Sequence, residues 1–398
     1  RIKKRDKGIV IFMVLTVLEG SRAAAEAVRL CRPDVIAAYP ITPQTHIVEQ
    51  LANMNADGSL KSKHIEVESE FSAISAATGA SAAGSRAYTA SCSQGLALMH
   101  EVLFATAGMR LPVVMTIVNR ALSAPINIWN DHQDSIAQRD AGWLQLYAET
   151  NQEIVDFTIQ AFRIAEDKRV LLPVMVCMDG FFLSHTIEPV DMPEQKKVDK
   201  FLPKYNPQHA YLDPERPMTQ GPFAFPKPYA ELRKVLSDTI DNSKEVILEV
   251  SKDFKKSFGR QAGDGLIDTY NLKGKKTAII TMGSLCGTVR EASDRTGDFG
   301  LLKLISFRPF PKKDILKALK NIDTVIVMEK NISLGASNGA VFDEVRSALY
   351  NSMEKRPKVV GYVCGIGGIE VTVDDIIQAA EESKEKKDGF VGWIMEND

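Results

Sequence analysis

Short apolar runs and amphipathic stretches alternate along the first half of the chain. Residues 35–39, 64–67, 86–90, 112–119 and 171–178 are apolar runs of strand length, while 46–54, 69–83, 96–107 and 151–167 carry helical periodicity. Residues 14–18 read as a further short strand leading into a helix that begins near Ser21. Strands that alternate with helices at this spacing predict an α/β domain, a mainly parallel doubly wound sheet covered on both faces.

The pattern breaks from Pro189 to Pro228, where prolines recur, among them Pro203, Pro214, Pro217, Pro222 and Pro226. Proline removes backbone donors and resists both helix and central strand, so this stretch is expected to be a long connection. Residues 229–258 then read as a charged amphipathic helix, or two. A second series follows, with strands at 277–282, 302–306, 324–329 and 359–363 and helices at 285–293, 312–321, 340–350 and 373–383. The expected organisation is a first domain over 14–188, a proline-rich connection with a bridging helix over 189–274, and a smaller α/β domain over 275–398. A chain of 398 residues is long for one core, which agrees with two.

Composition removes several alternatives. The chain is 44% hydrophobic and 25% charged, as in ordinary globular proteins, and its net charge of −2 gives no reason to expect nucleic acid. Cys31, Cys92, Cys177, Cys286 and Cys364 are dispersed, with no C-x-x-C pair. Iron–sulfur clusters and structural zinc sites draw on clustered cysteines, so neither is expected here, nor is a disulfide framework. The scatter fits a reducing, cytoplasmic setting. The basic start Arg1–Arg5, the apolar run 8–18 and Ala23-Ala24-Ala25 imitate a secretory leader. The expectation is instead that Met13 is the natural start, preceded by an extra translated stretch. No run is long enough to span a membrane.

Candidate chemistry lies where strands give way to helices. Tyr39-Pro40-Ile41-Thr42-Pro43-Gln44-Thr45 places donors beside a helix start, at the strand edge where open α/β sheets bind ligands. A proline-stiffened loop capped by Thr45 accounts for the same residues. Glu66, Glu68 and Glu70 stand at the next junction, with Glu70 in a first helical turn that favours an anion without any function. The helix behind them is almost all small residues, suited to close approach of another backbone. Ser91-Cys92-Ser93-Gln94-Gly95 is another small polar loop, and no histidine is placed to activate Cys92. Arg120 emerges from a very apolar strand, positioned to grip a carboxylate or to form a structural ion pair. Asp131-His132-Gln133-Asp134 matches neither a metal spacing nor a triad; it lines a pocket or caps the next helix.

Gly263-Asp264-Gly265 imitates the start of a thiamine-diphosphate metal motif. It follows no apolar strand and lacks the later paired asparagines, so it reads as a turn. G-x-G-x-x-G and P-loop patterns are absent, which disfavours a free-standing nucleotide-binding dehydrogenase.

Tyr39-Pro40-Ile41-Thr42-Pro43, Glu68-Ser69-Glu70, Ser93-Gln94-Gly95, Asn119-Arg120-Ala121 and Asp131-His132-Gln133-Asp134 together resemble the alpha subunit of pyruvate and related 2-oxoacid:ferredoxin oxidoreductases. Asp179-Gly180-Phe181-Phe182 with Ser184-His185, and Phe307-Arg308-Pro309-Phe310-Pro311, extend the resemblance from about Leu15 to Gly368. The family implies a pyrimidine-type thiamine-diphosphate-binding domain followed by a transketolase C-terminal-like domain. It implies thiamine diphosphate shared with a beta subunit that holds Mg²⁺ and a nearby [4Fe–4S] cluster, with gamma and delta subunits, coenzyme A as co-substrate and ferredoxin as electron acceptor. Glu70 matches the catalytic glutamate that hydrogen-bonds the pyrimidine N1′. Thr42 and Arg120 match residues that hold the 2-oxoacid carboxylate, and Tyr39, Pro40, Ile41, Ser93 and Gln94 fall in cofactor-binding stretches. Asp131, His132 and Gln133 are pocket candidates, and no metal ligand is expected on this chain. Pyruvate is the leading substrate and 2-oxoisovalerate the alternative. A noncatalytic scaffold subunit is the reading from another class, which the joint presence of Glu70, Thr42 and Arg120 opposes.

Overall fold

The computed structural model describes residues 15–207, 210–350, 352–353 and 355–395, together with the backbone of 2–6 and 9–13, which pair as an antiparallel hairpin. Val14, expected in the first strand, lies outside the described residues; the strand runs Leu15–Glu19 and pairs antiparallel with Ile187–Asp191.

The first large sheet has seven strands in the order Ser306–Arg308, Leu144–Tyr147, Val174–Asp179, Val114–Asn119, Ala87–Ser91, Val35–Ala38, Lys63–Glu66. All neighbours are parallel except Ser306–Arg308, which runs antiparallel on its edge. The central strands Val114–Asn119 and Val174–Asp179 are buried at every residue, because helices cover both faces. Gly20–Cys31, Thr45–Ala56 and Asn151–Ala165 share one core with the sheet. Glu70–Ala82 and His100–Gly108 lie in another, which extends into the second sheet through Ile280 and Leu302. The chain leaves Val35–Ala38 towards one edge and Ala87–Ser91 towards the other. Their adjacent carboxyl ends therefore open a crevice at the topological switch point.

The second sheet has the order Ile267–Tyr270, Phe299–Leu304, Thr277–Thr281, Thr324–Glu329, Lys358–Val363, Val391–Trp393, antiparallel only at its first pair. Among the described residues of the stretch 189–225, the only helix is the short Gln195–Phe201 and the only strand is the end of Ile187–Asp191. The bridging segment is one helix, Pro226–Phe258, which buries Leu236, Val246, Ile247, Val250 and Phe254 at helical spacing.

Besides the hairpin strands Ile2–Asp6 and Ile9–Met13, four strands have no counterpart in the expected pattern: Leu144–Tyr147, Ile187–Asp191, Ile267–Tyr270 and Val391–Trp393. Each has only three to five residues, too few for alternation to declare itself. The single strand expected at 302–306 is two, Phe299–Leu304 in the second sheet and Ser306–Arg308 in the first. Residues 96–107 divide between the helices Ser93–Leu98 and His100–Gly108. Asp264 forms the expected turn, its Oδ1 accepting from the amides of Leu266 and Ile267, both at 2.9 Å.

Candidate active site

The loop after Val35–Ala38 is held by Gln44. Its Oε1 accepts from the Ile41 amide at 3.2 Å, and its Nε2 donates to the Ala90 carbonyl at 3.0 Å, joining the two strand ends that border the crevice. Tyr39 and Ile41 are half-buried, and Pro40 and Thr42 exposed. It is the Thr42 carbonyl, not its hydroxyl, that is engaged, accepting from Arg120 Nη1 at 2.8 Å and the Cys92 thiol at 3.1 Å. Arg120 Nε donates to the Asn127 carbonyl at 3.1 Å. The guanidinium is buried, yet among the described residues no carboxylate pairs with it and Nη2 has no partner. A buried cation without an anion is costly unless a ligand supplies one.

Glu70 begins the helix Glu70–Ala82, behind the cap Ser69. Its carboxylate is buried and makes no hydrogen bond among the described residues. It lies against Gly95: a Cβ there would come within 2.5 Å of Glu70 Oε1 and 2.7 Å of Ser91 Oγ. Ser91 Oγ and Gln94 Nε2 are buried without partners. One bare carboxylate beside two neutral orphaned groups suits the edge of a polar heteroaromatic ring, the chemistry of an aminopyrimidine. Ser93 stands at φ +46°, a strained conformation for a non-glycine residue, and its hydroxyl meets the Ala121 carbonyl.

Asp134 organises these parts. It accepts from the amides of Ser93 at 2.8 Å, Arg120 at 3.0 Å and Ser135 at 2.7 Å, and from Asn119 Nδ2 at 2.7 Å. Burial pushes its carboxyl up, while those four donors favour the anion. Cys92 is fully buried between the two charged groups, and burial pushes its thiol well up, which removes it as a nucleophile.

Asp131, His132 and Gln133 face the second sheet's domain rather than Glu70. Asp131 accepts from the Gly367 amide at 3.2 Å, and Gln133 Oε1 from that of Ile332 at 3.0 Å. His132 Nε2 lies 2.7 Å from Asp179 Oδ1; Asp179 Oδ2 takes the Lys330 ammonium at 2.9 Å and the Ser284 hydroxyl. Burial alone would raise the Asp179 carboxyl, but Lys330 and His132 outweigh it and hold it far below the usual range. A cleft of about 650 Å³ opens beside Lys330, lined by Trp129, Phe182 and Leu285 among others; neither Glu70 nor Arg120 lines it.

Asp134, Asp179 and Lys330 are not among the site residues expected from the sequence, whereas Gln44 is one of the donors expected in the loop 39–45. Asp134 and Asp179 lie inside quoted motifs, but the positioning role of each depends on contacts 14 to 151 residues away. Trp129, Phe182, Ile126, Phe71 and Leu98 leave large apolar surfaces exposed around these strand ends.

The chain thus joins a mainly parallel sheet with a polar cluster at its switch point to a second α/β sheet. The fold resembles a 2-oxoglutarate:ferredoxin oxidoreductase from Magnetococcus marinus (TM-score 0.71, 19% identity, 93% of this chain and 65% of that one, so this chain spans about two thirds of its length). It also resembles a split-gene transketolase at TM-score 0.56 and 11% identity, covering 92% of this chain and 98% of that one. The family model for the thiamine-diphosphate-binding part of pyruvate flavodoxin/ferredoxin oxidoreductases matches residues 26–252, and that for core domain II of pyruvate:ferredoxin oxidoreductase matches 276–376. The chain belongs to the pyruvate:ferredoxin oxidoreductase family. It is 51% identical to pyruvate synthase subunit PorA of Methanocaldococcus jannaschii, over 95% of this chain and 97% of that one. Against ketoisovalerate oxidoreductase subunit VorA of Pyrococcus abyssi the identity is 42%, over 95% and 96%.

Proposed function

We propose that this chain is the alpha subunit of a CoA-dependent pyruvate:ferredoxin oxidoreductase, which converts pyruvate to acetyl-CoA and CO₂ with electrons passed to ferredoxin, or runs the reverse. The observation that carries the reading is the pairing of a bare buried carboxylate, Glu70, with a buried guanidinium, Arg120, that lacks a carboxylate partner. The cofactor, when bound, supplies the electron sink that makes loss of CO₂ from a 2-oxoacid feasible.

Glu70 would hold a hydrogen bond to N1′ of the aminopyrimidine, and so keep a proton where the ring needs it. Ser91 and Gln94 offer their unpaired groups to the same ring edge, and Tyr39, Pro40, Ile41 and Ser93 shape its wall. Arg120, fixed by two carbonyls, presents Nη2 to the substrate carboxylate, and the Thr42 hydroxyl stands free beside it. Asp131, His132 and Gln133 support this edge through the second domain. In this reading 14–188 is the pyrimidine-binding domain, 189–274 the connection and 275–398 the transketolase C-terminal-like domain. The beta subunit would bring Mg²⁺ and a [4Fe–4S] cluster and close the open crevice against Phe71 and Leu98, and gamma and delta subunits would complete a cytoplasmic complex. No helix among the described residues is long and apolar enough to cross a membrane.

The test is to purify the native complex anaerobically and compare pyruvate, 2-oxoisovalerate and 2-oxoglutarate for CoA-dependent viologen reduction. Pyruvate is expected to be fastest. An equal or faster rate with 2-oxoisovalerate would replace pyruvate with a branched-chain substrate.

A further inference from the structure

Away from the candidate active site, three segments far apart in sequence converge on a cluster of imidazoles and a carboxylate. Glu19 ends the strand Leu15–Glu19, His46 lies in the first turn of the helix Thr45–Ala56, and His185 follows the turn after the strand Val174–Asp179. His46 Nδ1 is 2.7 Å from Glu19 Oε1, and the two imidazole rings stand 4.7 Å apart. One ligand atom from each residue lies within 4.8 Å of the other two.

We propose that Glu19, His46 and His185 form a binding site for a divalent transition-metal ion, with Zn²⁺ as the working probe. Two imidazoles and one carboxylate are an established zinc donor set, leaving a fourth position for water. Bonds of about 2.0–2.2 Å place tetrahedral ligand atoms roughly 3.3–3.6 Å apart. The present spacing, with no pair of ligand atoms more than 4.8 Å apart, is close to that range.

The outer contacts suit the assignment. Ser184 Oγ accepts from the Phe181 amide at 2.8 Å and lies 2.7 Å from His185 Nδ1. A proton on Nδ1 directed at that oxygen leaves the Nε2 lone pair for an ion, the usual way a neighbour fixes the tautomer of a ligating histidine. The side chains of His46 and Glu19 are 47% and 32% exposed, so an ion can enter from solvent.

The position gives such an ion a consequence. Gly180 packs under Pro43, where a Cβ would come within 2.9 Å of the proline Cγ. An ion at the cluster would fasten the turn 180–185 to the helix that begins just after Thr42-Pro43, and so steady the loop whose carbonyl holds Arg120. It acts as a clamp and takes no part in the reaction.

The full chain, stripped with chelator, is titrated with Zn²⁺ by calorimetry and with Co²⁺ by visible spectroscopy. The wild type is expected to take one equivalent, and Co²⁺ to give the intense visible bands of a four-coordinate nitrogen–oxygen site. His46→Ala and His185→Ala are expected to weaken binding by on the order of 100-fold or more, and Glu19→Gln by about 10-fold. If an alanine variant does not fold, Glu19→Gln and His185→Gln carry the comparison. No binding to the wild type, binding unchanged in the variants, or a thiolate charge-transfer band that assigns the ion to a cysteine would each overturn the proposal. The first outcome would leave Glu19–His46 as a hydrogen-bonded pair only.

Discussion

Two buried polar clusters of the molecule are built in opposite ways. Around Lys303, charge is matched. Its ammonium, fully buried on the second sheet, meets Glu149 at 2.7 Å and Glu153 at 2.5 Å on the first domain. Burial alone would lower its pKa, but Glu153 and Glu149 raise it to about 12. Glu149, gripped also by Arg290, is held down in spite of burial, whereas burial pushes Glu153 up. Around Glu70 and Arg120, polar groups are left open: a carboxylate without donors, a guanidinium without a carboxylate, and orphaned atoms on Ser91 and Gln94. Matched buried charge holds two domains in register. Unmatched buried charge raises the energy of the empty fold, which is tolerable where a ligand completes the set.

The sharpest way to break this contrast is Glu70→Gln. It preserves shape and removes the acceptor strength, so turnover in the assembled enzyme should fall by about 10²–10⁴, while the unfolding midpoint should hold or rise because the variant no longer buries an unmatched charge. Retained activity would favour a scaffold subunit instead. Lys303→Met should do the reverse. Stranding the buried Glu153 carboxylate, while Glu149 keeps Arg290, costs about 3–5 kcal/mol, readable as a lower urea midpoint, and the chemistry should survive in whatever folds.

Arg120→Lys sharpens the substrate side of the comparison. A lysine cannot both hold the Thr42 and Asn127 carbonyls and present a second nitrogen, so KM for the 2-oxoacid should rise by roughly 10–100-fold, with a smaller fall in kcat. The smallest effect is expected at Asp131, whose carboxyl burial lifts to about 6. The folded state prefers it protonated. Its contribution to stability is full below pH ~4, near the ordinary carboxyl value, and is lost as pH rises through about 6. Asp131→Asn lacks that loss, so the variant's stability relative to wild type should increase between pH 4 and 7 in urea melts. A flat difference across that range would show that the amides of Gln133 and Gly367, which donate to this carboxylate at 3.0 and 3.2 Å, already stabilise the anion.

Much of the frame was legible because periodicity is a local property. The strands Val114–Asn119, Val174–Asp179 and Thr324–Glu329 and the helices around Glu70 and Asn151 announce themselves within a dozen residues. The short strands Leu144–Tyr147 and Ser306–Arg308 do not, since pairing with a remote partner makes them strands. The positions of Glu70, Thr42 and Arg120 at strand-to-helix junctions follow from the same local pattern, as does Arg120 at the end of an apolar run.

Which groups meet is another matter. Nothing near residue 134 says that its carboxylate gathers the amides of Ser93 and Arg120, and nothing near residue 132 says that it faces Asp179 and Lys330. The absence of metal-ligand spacing in the sequence also says nothing about Glu19, His46 and His185, which converge from three elements. The sequence by itself determined the alternation of elements, the dispersal of the cysteines and the residues available at each strand end. Only the tertiary structure decided which of them are neutralised and which are left bare. Side-chain pairing depends on distances between segments that local periodicity does not encode, and burial turns those distances into energies.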